Sequence, residues 1–170
     1  MRKFLVAAGL TAIVLMPAAA QAGWLVEGSL GKGYMVSSPR GWEQINFMIA
    51  PGWSPPVLSL LRLQLGFAAD FADKSGSRTN FELRPMVTVC PPLLPVFGRA
   101  ILAIQNLRGP GKTEYAYGAS GGVRFGLGPI GVFGEVGVLP RSRETVDSAG
   151  TTSSKFMWGI EGRAGAYLEF

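Results

Sequence analysis

The sequence predicts an all-β chain, an eight-stranded antiparallel up-and-down transmembrane β-barrel. Three observations carry that expectation. The chain closes on a long alternating run, the mid-strand charges of each readable strand share one face, and long connections alternate with short ones.

The closing run is the most regular element. Phe156, Trp158, Ile160, Gly162, Ala164, Ala166, Leu168 and Phe170 fall on one face, and Met157, Gly159, Glu161, Arg163, Gly165, Tyr167 and Glu169 on the other. A period of two is a strand's period. A soluble strand with one wet face shares this alternation, so the run counts together with the start of the chain.

The start reads as an export signal. Arg2 and Lys3 form a positive region, Phe4 to Met16 an apolar one, Pro17 a break, and Ala20-Gln21-Ala22 a small-residue cleavage site. That pattern marks a removed signal peptide over 1–22, and the barrel domain occupies 23–170. No later segment is apolar for the roughly 20 residues that a spanning helix needs. Periplasm, outer membrane or medium remain as compartments.

Turn residues divide the rest into strands over about 23–32, 42–50, 57–70, 79–90, 95–106, 113–127, 129–140 and 155–170. Most of them match or exceed the roughly 9–11 residues that cross a bilayer at the usual tilt. Polar connections at 33–41, 71–78, 107–112 and 141–154 alternate with compact ones at Pro51 to Pro56, Pro91 to Leu94 and Gly126 to Pro129. Long outer loops and short inner turns are the outer-membrane arrangement, and the Ser- and Thr-rich end of the last loop reads as mobile.

Placing apolar residues outward sends Glu27, Arg62, Glu82, Arg84, Arg99, Glu114, Arg124, Glu135, Glu161 and Arg163 into the interior. Five acids then face five bases, an inventory suited to paired ions. A base on the lipid face near the midplane costs roughly 2–4 kcal/mol, whereas an interior carboxylate and guanidinium offset part of their desolvation. The fifth strand fits least well, because Ile101 and Ala103 face inward with its Arg. The same parity makes Val123→Arg a block to assembly and lets Ser120→Arg be accommodated. Trp24, Trp53, Phe125 and Phe170 gather at one rim, with Phe81, Tyr115, Phe156 and Trp158 at the other, as two interfacial girdles require.

Several chemistries are excluded or weakened. The chain contains no His, so Ser-His-Asp triads, His-ligated zinc and His general bases are absent. A single Cys, Cys90, forbids an intrachain disulfide. Glu135 and Glu161 are available as a carboxylate pair, but interior acids facing Arg more often serve structure. Gly109-Pro110-Gly111-Lys112-Thr113 shares part of a phosphate-loop pattern, but Asn106 stands where the first Gly is required and a strand follows, so it reads as a turn. No enzyme and no cofactor is expected. The formal charge of +5 falls to +3 once Arg2 and Lys3 are removed, and no basic run suggests nucleic acid. Arg40, Lys74, Arg78, Arg108, Lys112, Arg141 and Arg143, with Lys32, form a basic outer rim. Such a rim would meet lipopolysaccharide phosphates; ordinary loop solvation is the alternative.

The signal region, the Tyr115-to-Leu127 strand and the Trp158-to-Phe170 strand resemble the small OmpA-like and OmpX-like outer-membrane barrels of Gram-negative bacteria. The resemblance covers 23–170 and rests on pattern rather than a diagnostic motif. It implies that Phe170, with Leu168 and Ala166, forms the signal read by the barrel-assembly machinery. It also implies residence in the cell outer membrane among its lipids, and a non-enzymatic envelope-structural or surface-interaction role. The related lipid A palmitoyltransferases and deacylases use a His that this chain lacks. Two alternatives stay open: a narrow channel, and a soluble periplasmic barrel binding an apolar ligand. The second requires the opposite parity.

Overall fold

A computed structural model describes residues 23–37, 40–56, 58, 60–71, 81–105, 107, 113–146 and 152–170, without the side chains of Glu114, 141–146 and 152–156. The described residues form ten strands: β1 (Gly23–Met35), β2 (Gly41–Ser54), β3 (Leu61–Asp70), β4 (Phe81–Val89), β5 (Val96–Gln105), β6 (Glu114–Leu127), β7 (Ile130–Val138), β8 (Arg141–Val146), β9 (Thr152–Met157) and β10 (Gly159–Glu169). Eight of them close a barrel in the order β1-β10-β7-β6-β5-β4-β3-β2, every neighbour antiparallel, and β8 and β9 make a separate two-stranded sheet. Closure matters because it leaves no unpaired strand edge among the eight.

The seam closes at the two ends of the described chain. Trp24 and Phe170 exchange backbone hydrogen bonds of 2.9 Å in both directions, and β1 then pairs with β10 from Leu25↔Glu169 to Met35↔Gly159. Between β6 and β7 a two-residue turn, Gly128-Pro129, joins the pair Leu127↔Ile130. Gly128 has φ +64°, the positive value that a primed hairpin turn places at its first central residue.

Four expectations need correction. First, β1 continues to Met35, so the first connection is shorter than 33–41 and Lys32 lies within a strand. A register shift between Lys32 and Tyr34 lets β2 stay paired across this extension. Second, Pro51 to Ser54 belong to β2 rather than to a turn. The ladder to β3 skips from Ile49↔Phe67 to Gly52↔Gln64, and Pro51, which has no N–H to donate, sits in that gap. Pro85 in β4 occupies a matching gap between Leu83↔Ile104 and Met86↔Ile101. Third, the 141–154 connection is not all loop, because β8 and β9 pair from Arg141↔Met157 to Val146↔Thr152. Fourth, the 155–170 run is divided at Trp158 between β9 and β10. The predicted signal peptide, 1–22, lies outside the described residues, as does Gly109 to Lys112.

Parity follows the alternation along the barrel strands, except at the β1–β2 register shift, where Trp42 and Ile45 both face outward. Leu63, Leu65, Phe67, Val87, Val89, Tyr115, Tyr117, Val123, Phe125, Val132, Val136, Val138, Ile160 and Leu168 are exposed on the outside. Inside, small apolar clusters coexist with charge. Met48, Ala50, Ala68 and Met86 pack together with Ile101, and Ala103, Ala116 and Leu139 form a second group. The inward Ile101 and Ala103 of β5 thus have apolar partners. The soluble-barrel alternative needs an apolar interior and a polar exterior, and the described strands have the reverse.

Candidate functional site: an ionic interior

Each interior charge is placed by one strand's alternation, and the closed sheet then brings residues from opposite walls together. At the end carrying the short turns, Glu169 on β10 pairs with Arg62 on β3 and, at 2.9 Å, with Arg124 on β6. The Arg124 guanidinium lies over the Tyr167 ring, 4.1 Å from its centre. That ring fills the space beside Gly131, where any side chain would collide with it. Phe97 and Phe133 pack edge to face with Tyr167 nearby, giving this end an aromatic lining.

Midway along the axis, Arg99 on β5 engages Glu27 on β1 at 2.7 Å and Glu135 on β7 at 3.1 Å. Its Nε donates to Thr88 Oγ1 at 2.9 Å, and its guanidinium stands 5.2 Å and 5.7 Å from the Phe97 and Phe133 ring centres. Thr88 donates onward to Gln64, and Ser120 donates to Glu135 at 3.1 Å. In the barrel order β5 stands diametrically opposite β1, so Arg99–Glu27 crosses the whole lumen.

Toward the other end, Glu161 on β10 accepts from Arg84 on β4, at 3.1 Å, and from Asn46 on β2, at 3.0 Å, and pairs with Arg163. Arg84 also holds Glu82 at 2.7 Å and is itself only 2 % exposed. β4 and β10 are again opposite walls, so Arg84–Glu161 is a second tie across the lumen. Arg163 donates to Ser29 and Asn46 and approaches Glu135 at 3.7 Å, linking this tier to the middle one. Planar guanidinium forks suit such multiple carboxylate contacts.

The structure thus brings together Glu27, Glu82, Arg84, Arg99, Glu135, Glu161 and Arg163, with Arg62 and Arg124 meeting Glu169. The Glu114 side chain lies outside the described residues. Sequence reasoning left Glu169 out of the ion inventory, although its own parity placed it inward, and it left out the neutral bridges Asn46 and Thr88; Gln64 was placed inward beside Arg62 but given no bridging role. Alternation was the signal that could have found them. Glu135 and Glu161 are each engaged by arginines rather than forming a free acid pair. Phe170, Leu168 and Ala166 share the exposed outward face. Of the basic rim, Arg40 is exposed just before β2; Arg141 and Arg143 lie on β8 with side chains outside the description, and Lys74, Arg78, Arg108 and Lys112 lie outside the described residues. Among the described residues no group of His, Cys, Asp and Glu suits a metal ion.

One expectation about the interior changes. A cavity of about 10 Å³ sits beside Ser120, lined by Arg84, Glu135, Glu161, Arg163 and their neighbours. That is room for about one water, not for a guanidinium and its stem. Ser120→Arg is therefore expected to overpack the lumen and lower the folded fraction after refolding. Ser120→Ala removes one hydrogen bond to Glu135 and should cost only about 1 kcal/mol in a urea titration.

Cys90 follows β4 and packs against the aromatic cluster, accepting from Arg124 Nη1 at 3.4 Å. Burial, reinforced by the Glu27 charge, pushes its thiol up from 9.0 to about 12. At pH 8 the thiolate is then about a thousandfold scarcer than in the unfolded chain, so a maleimide should label the folded protein far more slowly. Because the folded value is the raised one, the linked stability is complete below pH 9 and is lost as pH rises toward 12.

Neither a family model nor a curated protein matches this sequence. Solved structures that match the fold include the following two. Neisserial surface protein A is similar with a TM-score of 0.66 at 15% identity, over 88% of this chain and 98% of that one. The N-terminal β-barrel domain of Pseudomonas aeruginosa OprF is similar with a TM-score of 0.55 at 9% identity, over 86% of this chain and 98% of that one. At these identities the likeness is one of fold. The chain has the fold of the small eight-stranded outer-membrane barrels, the architecture that its OmpA-like and OmpX-like resemblance implies.

Proposed function

We propose that this protein resides in the outer membrane as a non-enzymatic barrel with an envelope-structural or surface-interaction role. The division of charge carries the reading. Apolar side chains cover the outside of the eight strands, while the arginines and glutamates of the wall are tied to one another within. Lipid tolerates that exterior and water does not favour it. A closed sheet satisfies its own backbone, which the bilayer core demands.

Two ion pairs crossing the full diameter argue against an open channel, and eight strands enclose little more than side chains. The loops at the far end are then where outside partners would be met, lipopolysaccharide among them. Folding would pass through the barrel-assembly machinery, with Phe170, Leu168 and Ala166 as its recognition signal. Planar-bilayer recording of the purified full-length protein separates the role from transport. No conductance steps above background are expected; reproducible discrete steps would give the narrow-channel reading precedence.

A further inference from the structure

Among the described residues, the outward face of the eight barrel strands carries a single charged side chain, Lys32 on β1. Glu43, its acidic neighbour across the register shift, instead occupies the space beside the inward Gly33. Asp70 stands opposite the buried Asn46 and so shares the inward parity. Lys32 therefore has no carboxylate partner among the described residues. Its ammonium lies 5.2 Å from the centre of the Trp42 ring, which is 71 % exposed and meets Tyr34 edge to face at 5.1 Å. Exposed Arg40 precedes Trp42 at the same rim, and beside Lys32 on β10 Gly162 leaves open space.

The position along the barrel is informative. From Trp24 at one girdle to Lys32, a rise of about 3.3 Å per residue at a tilt of about 40° gives roughly 20 Å along the axis. An apolar band is about 25 Å tall, so Lys32 reaches the boundary where acyl chains give way to headgroups. A cation there is tolerated where it reaches the polar layer, and an aromatic ring at that level favours it further.

We propose that Lys32, Trp42 and Tyr34 form an external seat for the phosphate of an anionic lipid headgroup. The proposal rests on the membrane reading above. The ammonium supplies the counter-charge, and the two rings supply the amphipathic surface that suits the headgroup boundary. Charge complementarity selects this occupant: an unpaired cation on an otherwise apolar wall matches an anion attached to an acyl chain.

The test uses the full-length protein folded into phosphatidylcholine vesicles, then transferred to neutral detergent and titrated with phosphatidic acid while bound lipid is counted by native mass spectrometry. Lys32→Gln should weaken binding about fivefold, and Lys32→Arg should restore it. An equal concentration of inorganic phosphate should not displace the lipid. Equal binding by the original protein and Lys32→Gln, both inserted in vesicles, overturns the seat and leaves the membrane reading intact. Displacement by inorganic phosphate overturns a lipid as the source. Failure of the original protein to insert overturns the membrane reading and the seat with it.

Discussion

Replacing Arg99 by Met destabilises the barrel by about 3–5 kcal/mol, the expected cost of breaking a buried ion pair from one side. Arg99 holds Glu27 at 2.7 Å and Glu135 at 3.1 Å from the centre of the lumen. Met has similar length, so packing against Phe97 and Phe133 is largely kept and the loss falls on the charges. Glu135 retains Arg163 at 3.7 Å, whereas Glu27 has no second arginine among the described pairs. The urea midpoint of the refolded protein in lipid reads the effect. Adding Glu27→Gln to Arg99→Met should recover part of it, because the stranded carboxylate is removed. A double variant no better than the single one would show that Glu27 is not stranded by the loss of Arg99.

The second large effect is on the opposite face. Val123 lies outward on β6, paired with Val96 on β5 and Gly134 on β7. Val123→Arg places a guanidinium on the outward face, which carries no carboxylate among the described strands; two residues from the Phe125 girdle, the expected cost is about 1–2 kcal/mol, below the midplane value. The folded, protease-protected fraction in vesicles should fall sharply, while Val123→Leu should leave it unchanged. Normal insertion of the arginine variant would mean that β6 presents its other face to lipid.

These two variants invert the same rule, and that rule was legible in the sequence because a strand's period is two. The inward Glu82, Arg84 and Glu135 and the outward Leu63, Val87 and Val132 follow from alternation alone. Which acid meets which base was not legible. Arg84 finds Glu161, and Arg99 finds Glu27, across the barrel, and those contacts depend on the closed sheet's diameter and stagger rather than on either strand's sequence. Proline misled the strand ends. Pro51 reads as a turn residue, yet it sits where the β2–β3 ladder is already interrupted. The β8–β9 hairpin escaped notice because Ser142, Thr145, Thr152, Ser153 and Ser154 lack the apolar alternation of a wall strand. Lys32 was placed at the rim because its strand was expected to end there; the register shift beside it was the missing piece.

Heat-modifiability tests the central claim most directly. The full-length protein is expressed in a Gram-negative host, the outer membranes are isolated, and samples are run in detergent electrophoresis with and without boiling. A protein found in that fraction, with unheated and boiled forms migrating at different apparent masses, is the expected result for a closed barrel seated in lipid. Recovery in the soluble periplasm, with one mobility before and after boiling, would contradict it.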